Sequence, residues 1–118
     1  MPASSITVFV VDDITTKPGS GAAFMEACER RYVPDAKARG LTLLHRLVSP
    51  PVWLPDQSNR LLFVWTAPGA AGVWAAKLAG RADPLLAEWW QGEAAAFIES
   101  RTRAVFADPA DIAALNHV

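Results

Sequence analysis

Three short stretches of the chain are almost wholly apolar: Ile6 to Val11 (ITVFVV), Leu41 to Val48 (LTLLHRLV) and Arg60 to Thr66 (RLLFVWT). Each is rich in β-branched, aromatic or leucine residues and too short for an ordinary helix, so each is expected to be a strand. Asp12-Asp13 is expected to close the first. The chain looks organised around the second. Strand side chains alternate between faces, so Leu41, Leu43, His45 and Leu47 share one side, and Thr42, Leu44, Arg46 and Val48 share the other. Both sides are mostly apolar, which predicts a strand sandwiched between two layers. In the third, Leu61, Phe63 and Trp65 oppose Leu62, Val64 and Thr66.

Between the strands the period changes. From Ala22 to Arg39, Phe24, Met25, Cys28, Tyr32 and Ala36 recur at three- and four-residue steps, with most charges opposite, which predicts a helix. Thr15 to Gly21 is a loop, with Ser20 placed as its N-cap. Pro34 predicts a kink or a restart at Asp35, and Gly40 a C-cap. Ser49 to Asn59 holds three prolines; Pro50-Pro51 cannot donate to a ladder, so a loop at a sheet edge is expected. After Pro68-Gly69, Ala70 to Ala79 reads as a short helix. Asp83-Pro84 is an N-cap followed by a first-turn proline, and it restarts a helix expected to reach Ser100. Arg101 to Ala107 is the last strand. Asp108-Pro109 repeats the start signal for a short terminal helix.

The order strand, helix, strand, strand, broken helix, strand predicts an α+β ferredoxin-like βαββαβ domain spanning residues 1–118. Its four-stranded antiparallel sheet would carry helices on one face. Such helices cover only one side, whereas a sheet with a wet face should alternate cleanly between apolar and polar. The strands are apolar on both sides, so a second copy packed sheet to sheet is expected.

Three stretches, YVPDAKARGLTLLHRL, RLLFVWTAPG and EWWQGEAAAFIESRTRAVF, together with the element order from Ile6 to Ala107, resemble the dimeric α/β barrel superfamily. That group includes the NIPSNAP-like, EthD-like and antibiotic-biosynthesis monooxygenase families and muconolactone isomerase. The first stretch is similar to the NIPSNAP-like pattern of a first helix ending in glycine before the second strand. The resemblance implies the ferredoxin-like fold, a homodimer, and a pocket between the sheet and the helices of each subunit. It carries no catalytic residues with it, because members with unrelated activities share these features.

Composition narrows the classes. The 118 residues are 52% hydrophobic and 19% charged with a net charge of −1, as expected of one globular domain. The charges are interleaved, with no basic stripe for nucleic acid. The start, MPASS, lacks a signal-peptide pattern, and no apolar run approaches a membrane span, so a cytoplasmic location and no membrane partner are expected. The single cysteine, Cys28, excludes a disulfide framework and reads as a small buried residue. No nucleotide-binding glycine loop or Ser-His-Asp pattern is visible. The two histidines, His45 and His117, lie far apart. Neither long helix carries a histidine, which counts against the haem ligation known in this superfamily. No metal and no cofactor are expected.

Within the implied pocket, His45 is the candidate general base, because imidazole titrates near neutral pH. Its side of the strand holds more leucines and is assigned to the helices. The alternative is a core histidine bonded to a carbonyl or to Glu93. Arg46 is then assigned to the inter-subunit face, paired with an acid across the dimer. Tyr32, Phe63, Trp65, Trp90 and Glu93 are placed around the pocket. Trp65, Trp74, Trp89 and Trp90 could hold a flat ligand or fill the core. Two functions follow. One is a cofactor-independent monooxygenase, isomerase or cyclase acting on a small apolar, aromatic or polyketide-like molecule. The other is a non-catalytic homodimer binding a hydrophobic ligand or a protein.

Overall fold

The computed structural model describes residues 6–116. His117 and the start through Ser5 lie outside the described residues. The first strand, β1 (Thr7–Thr16), leads to α1 (Gly21–Ala27), a π-helical turn (Cys28–Tyr32) and α2 (Val33–Ala38). Strands β2 (Thr42–Ser49) and β3 (Arg60–Pro68) follow, then α3 (Gly69–Ala82), α4 (Pro84–Glu88), a second π turn (Trp89–Glu93) and a 3₁₀ turn (Ala94–Ala96). Strand β4 (Ile98–Ala107) and a short terminal helix, α5 (Ile112–Leu115), complete the chain. The sheet is antiparallel in the order β2-β3-β1-β4, the ferredoxin-like arrangement. No described helix is long and apolar enough to cross a membrane.

The central strands are therefore β1 and β3, and the LTLLHRLV strand is an edge. It is not sandwiched: six of its eight residues are exposed, and only Leu43 and Val48 are partly covered. Strand β1 continues past Asp12-Asp13 to Thr16, because its inward set runs on through Val8, Val10, Asp12, Ile14 and Thr16, all buried. At the other end of the chain the helix stops short of Ser100, and β4 begins at Ile98.

Local signals explain most boundaries. Asp83 and Asp108 cap as expected: their carboxylates accept the backbone N–H groups of Leu85 and Ala110 at 3.0 and 2.8 Å. Ser20 makes no side-chain cap bond. Gly40 takes φ +100, and Leu41 N–H and Gly40 N–H donate to Ala36 and Lys37 carbonyls, which closes the helix in a Schellman motif. Pro34 falls in the first turn of α2, after the π turn, where its missing N–H costs little. The Ser49–Asn59 connection is irregular, with a cis Ser49-Pro50 bond. Buried Asn59 ties it down: its amide donates to Val52 and Ser49 carbonyls at 2.9 and 3.3 Å and accepts Leu54 N–H at 3.1 Å.

The core lies between the sheet and the α1–α2 arm. Phe24, Cys28 and Tyr32 come down on Ile14, Leu61, Phe63 and Trp65, all nearly inaccessible. Burial of each large side chain contributes roughly 1.5–3 kcal/mol. Burial also pushes the Cys28 thiol up to about 12, helped by the nearby Asp12 charge, so it stays protonated and inert.

One irregularity changes which residues face the helices. In β2, Leu43 pairs with Trp65 but His45 pairs with Val64, leaving Leu44 as an extra, unpaired residue. Such a bulge reverses the alternation beyond it. Facing strand partners share a side of the sheet, so His45 and Leu47 lie with Val64 and Leu62 on the face away from the helices. Arg46 and Val48 lie with Phe63 and Leu61 on the helix face. Both face assignments made from regular alternation are thus reversed. Arg46 confirms the reversal by pairing with Glu29, on the first π turn of its own chain.

Candidate functional site

Helix α3, GAAGVWAAKLAGRA, presents small residues to the sheet; only Gly69, Ala76 and Gly80 are buried in it. Alanine and glycine cannot fill the space above β1 and β4. The result is a cleft of about 680 Å³ between the sheet and the α3–α4 layer. Its walls include Leu41, Val73, Ala76, Leu86, Trp90 and Val105, and its polar lining includes Arg39, Arg103, Lys77, Arg81 and Asp83. An apolar enclosure with a few placed polar groups is the usual build of a small-molecule site.

The floor is a hydrogen-bonded cluster. Asp12, on β1, is fully buried. Trp65 Nε1–H donates to its Oδ2 at 3.1 Å. Arg103, opposite it on β4, donates from Nε to Oδ1 at 2.7 Å and from Nη2 to Oδ2 at 2.9 Å. The same Nη2 donates to the Tyr32 hydroxyl oxygen at 2.6 Å, and Arg39 Nη2 reaches that oxygen at 3.4 Å. Arg39 is anchored in turn by Asp35, one helical turn away. A phenol oxygen has two acceptor sites and one proton to donate. With two guanidinium groups on the oxygen, the proton is left for a further acceptor.

Electrostatics hold the cluster in one state. Burial works against the Arg103 charge, but the bonds and charge of Asp12 outweigh it and keep its pKa above the ordinary value. Burial raises the Tyr32 phenol despite the opposing Arg103 charge, so it stays neutral. Beside Arg39, burial and then the neighbouring Asp83 carboxylate raise Asp35, while Arg39 pulls it down.

Aromatic packing fixes the phenol. The Tyr32 ring meets Trp65 edge-on at 5.8 Å, Trp90 edge-on at 4.9 Å, and lies parallel to Trp89 at 6.3 Å. Tyr32 ends the first π turn, and Trp89 and Trp90 begin the second. Each π turn adds a residue to its helix, and such insertions recur at functional sites. Trp89 Nε1 is buried with no hydrogen-bond partner among the described residues. Arg101, the next inward residue of β4, places its guanidinium 3.6 Å from the Trp90 ring centroid.

Of the residues singled out from the sequence, Trp90 lines the cleft; Tyr32, 2% exposed, does not, and touches the site only through the Arg103 and Arg39 bonds to its hydroxyl. Phe63 and Trp65 are core residues at 1% and 0% exposure; Trp65 touches the site only through its indole N–H on Asp12. Glu93 lies beside Arg30, 4.0 Å from it, rather than among the lining residues. His45 is exposed on the opposite face of the sheet. Trp89 is core, and Trp74, on α3, is 57% exposed and does not line this cleft. Asp12, Arg39 and Arg103 were missed. For Asp12 and Arg103 a partial signal exists, since each falls at an inward position of its own strand's alternation, with Val10 and Ile14 and with Arg101 and Val105; that the two sets oppose one another is given only by the strand pairing. Among the described residues no group of three or more metal-ligating side chains converges.

No protein-family model and no curated protein matches the sequence. Solved structures do. An uncharacterized NIPSNAP domain protein from Burkholderia xenovorans superposes with a TM-score of 0.70 at 12% identity, covering 87% of this chain and 95% of that one. A NIPSNAP family protein of unknown function from Agrobacterium tumefaciens gives 0.70 at 12% identity over 88% and 89%. A putative antibiotic biosynthesis monooxygenase from Nitrosomonas europaea gives 0.58 at 12% identity over 89% and 92%. The fold is the ferredoxin-like one of NIPSNAP and antibiotic-biosynthesis-monooxygenase proteins. At this identity the likeness is one of fold.

Proposed function

We propose that this chain is a small-molecule-binding protein whose site is the cleft between the sheet and α3–α4, and that it works as a homodimer joined through its open sheet face. The observation that carries the first part is the cleft itself: apolar walls over a rigid polar floor, left open by the alanines and glycines of α3. Its size and its Trp90 wall suit a ring-bearing apolar molecule. A catalytic role for His45 has no support from its position, since it lies across the sheet from the cleft. Asp12 is not a free base either, because Trp65 and Arg103 occupy both of its oxygens. The floor is built to bind and to stabilise negative charge, so binding is the reading adopted, with enzymatic turnover as the alternative.

The test is titration with N-phenyl-1-naphthylamine, an uncharged fluorescent aromatic. One saturable site per chain is expected. Val105→Trp, which adds bulk from a rigid strand position lining the cleft, should weaken it tenfold or more with an unchanged melting temperature. Absence of saturable binding, or binding indifferent to Val105→Trp, would overturn the assignment.

A further inference from the structure

We propose that the natural ligand of this cleft carries an anionic group, a carboxylate on an apolar ring-bearing body, and that Arg103 Nη1 receives it. This rests on the cleft being a ligand site and adds the chemistry of the ligand.

The argument begins with a donor count. A guanidinium has five N–H groups. Arg103 commits three of them: Nε to Asp12 Oδ1, and the two on Nη2 to Asp12 Oδ2 and Tyr32. The two N–H groups of Nη1 make no hydrogen bond among the described residues. The Arg103 side chain is 30% exposed and lines the cleft, whereas Asp12 is 0% exposed and does not. The positive group is therefore presented to the cleft, and its balancing charge is sealed beneath it.

Arg39 is a second guanidinium in the lining, although its pair is arranged the other way round: its side chain is 6% exposed and that of its partner Asp35, outside the lining, 28%. Lys77 and Arg81 add two more cations to the wall, against Asp83 alone. A chain with a net charge of −1 thus encloses a cationic cleft. The remaining wall is apolar, so the fit is to an amphiphilic anion rather than to a small inorganic one.

The anion site is also prearranged. Two bonds to Asp12 fix the Arg103 plane, and Tyr32, held by three tryptophans, fixes its outer edge. A group already ordered costs little further entropy when a ligand arrives. Guanidinium edges match carboxylates in geometry as well as charge.

The experiment compares 2-naphthoate with its uncharged isostere 2-naphthamide, by calorimetry at pH 7 and low salt, on the full chain. Naphthoate is expected to bind at least tenfold more tightly. In Arg103→Lys, which can still neutralise Asp12 but has no second N–H edge to offer, the ratio of naphthoate to naphthamide affinity should fall to about one. The doubly substituted Lys77→Gln/Arg81→Gln protein should keep the preference, and it serves as the decisive variant if Arg103→Lys does not fold. Equal binding of the two probes would overturn the anion assignment and leave the apolar cleft standing. Preference lost with Lys77 and Arg81 would overturn the role of Arg103. Failure of both probes, and of N-phenyl-1-naphthylamine, would overturn the ligand site itself.

Discussion

Asp12 and Arg103 stand opposite each other on neighbouring strands, joined by two hydrogen bonds of 2.7 and 2.9 Å, one residue wholly buried and the other open to the cleft. The pair forms the junction between core and site. On one side Asp12 takes the Trp65 indole proton; on the other Arg103 holds Tyr32.

Removing one partner should therefore be costly. Arg103→Ala strands a buried carboxylate and should destabilise the fold by about 2–4 kcal/mol. Asp12→Asn/Arg103→Gln replaces the ion pair with a neutral hydrogen-bonded one. In a cycle of denaturant unfolding curves at pH 7, the double variant should lose at least about 1 kcal/mol less than the summed single losses. Simple additivity would mean that the two side chains act independently.

The acidic neighbours Asp35 and Asp83 set a pH dependence. Asp35 is raised above its ordinary 3.8 by burial and then by Asp83, with Arg39 opposing. A carboxyl raised in the folded state binds its proton more tightly there than in the unfolded chain. Its stabilising contribution is complete below 3.8 and is lost as pH rises through the folded value. Asp83→Asn keeps the cap on Leu85 and removes the repulsion. It should match or exceed the wild type in denaturant midpoint at pH 7, with the difference closing at pH 3. Asp83→Ala loses the cap and should fall below Asp83→Asn by about 1 kcal/mol at both pH values. Equal losses for Asn and Ala at pH 7 would show that the Asp83 charge helps the fold.

The strands, their order and the ferredoxin-like arrangement were legible because hydrophobic period and turn residues determine them locally. Asp83-Pro84, Asp108-Pro109 and Gly40 each mark a boundary by a side chain or φ value that only a few residues supply. The site was legible only in part. Tyr32 and Trp90 stood out as aromatics on a helical face. Asp12 was read as a strand end, because an isolated aspartate in a strand is unfavourable until its partner is known. That partner, Arg103, lies 91 residues away, and no local pattern links the two. The bulge at Leu44 was likewise invisible, since nothing in LTLLHRLV distinguishes the extra residue from its neighbours.

The open sheet face makes the proposed dimer testable. Phe9, Val11, Leu62 and Val64 are only partly covered there, and Leu47 and Phe106 are 49% and 54% exposed. An apolar area of this kind on a free monomer is unusual. Sedimentation at micromolar concentration should show two chains. Val64→Glu, at the middle of the face, should shift the protein to one chain. A wild-type protein that sediments as a stable monomer would refute the proposal.

The last prediction concerns the bulge, on which the positions of His45 and Arg46 both depend. Leu44 is the residue without a partner, and it is 49% exposed. Deleting it would leave Leu43 opposite Trp65 and His45 opposite Val64 in an unbroken ladder, with every later side chain on its present face. The deletion should cost no more than about 1 kcal/mol, since little buried surface and no shared hydrogen bond is lost. Had β2 been regular, the same deletion would turn one half of the strand over and expose its inward set, a change the fold would not tolerate. His45→Gln provides the companion measurement. On the face away from the cleft, it should leave both the melting temperature and N-phenyl-1-naphthylamine binding unchanged. Loss of folding on deleting Leu44, or loss of probe binding in His45→Gln, would return the histidine to the helix side.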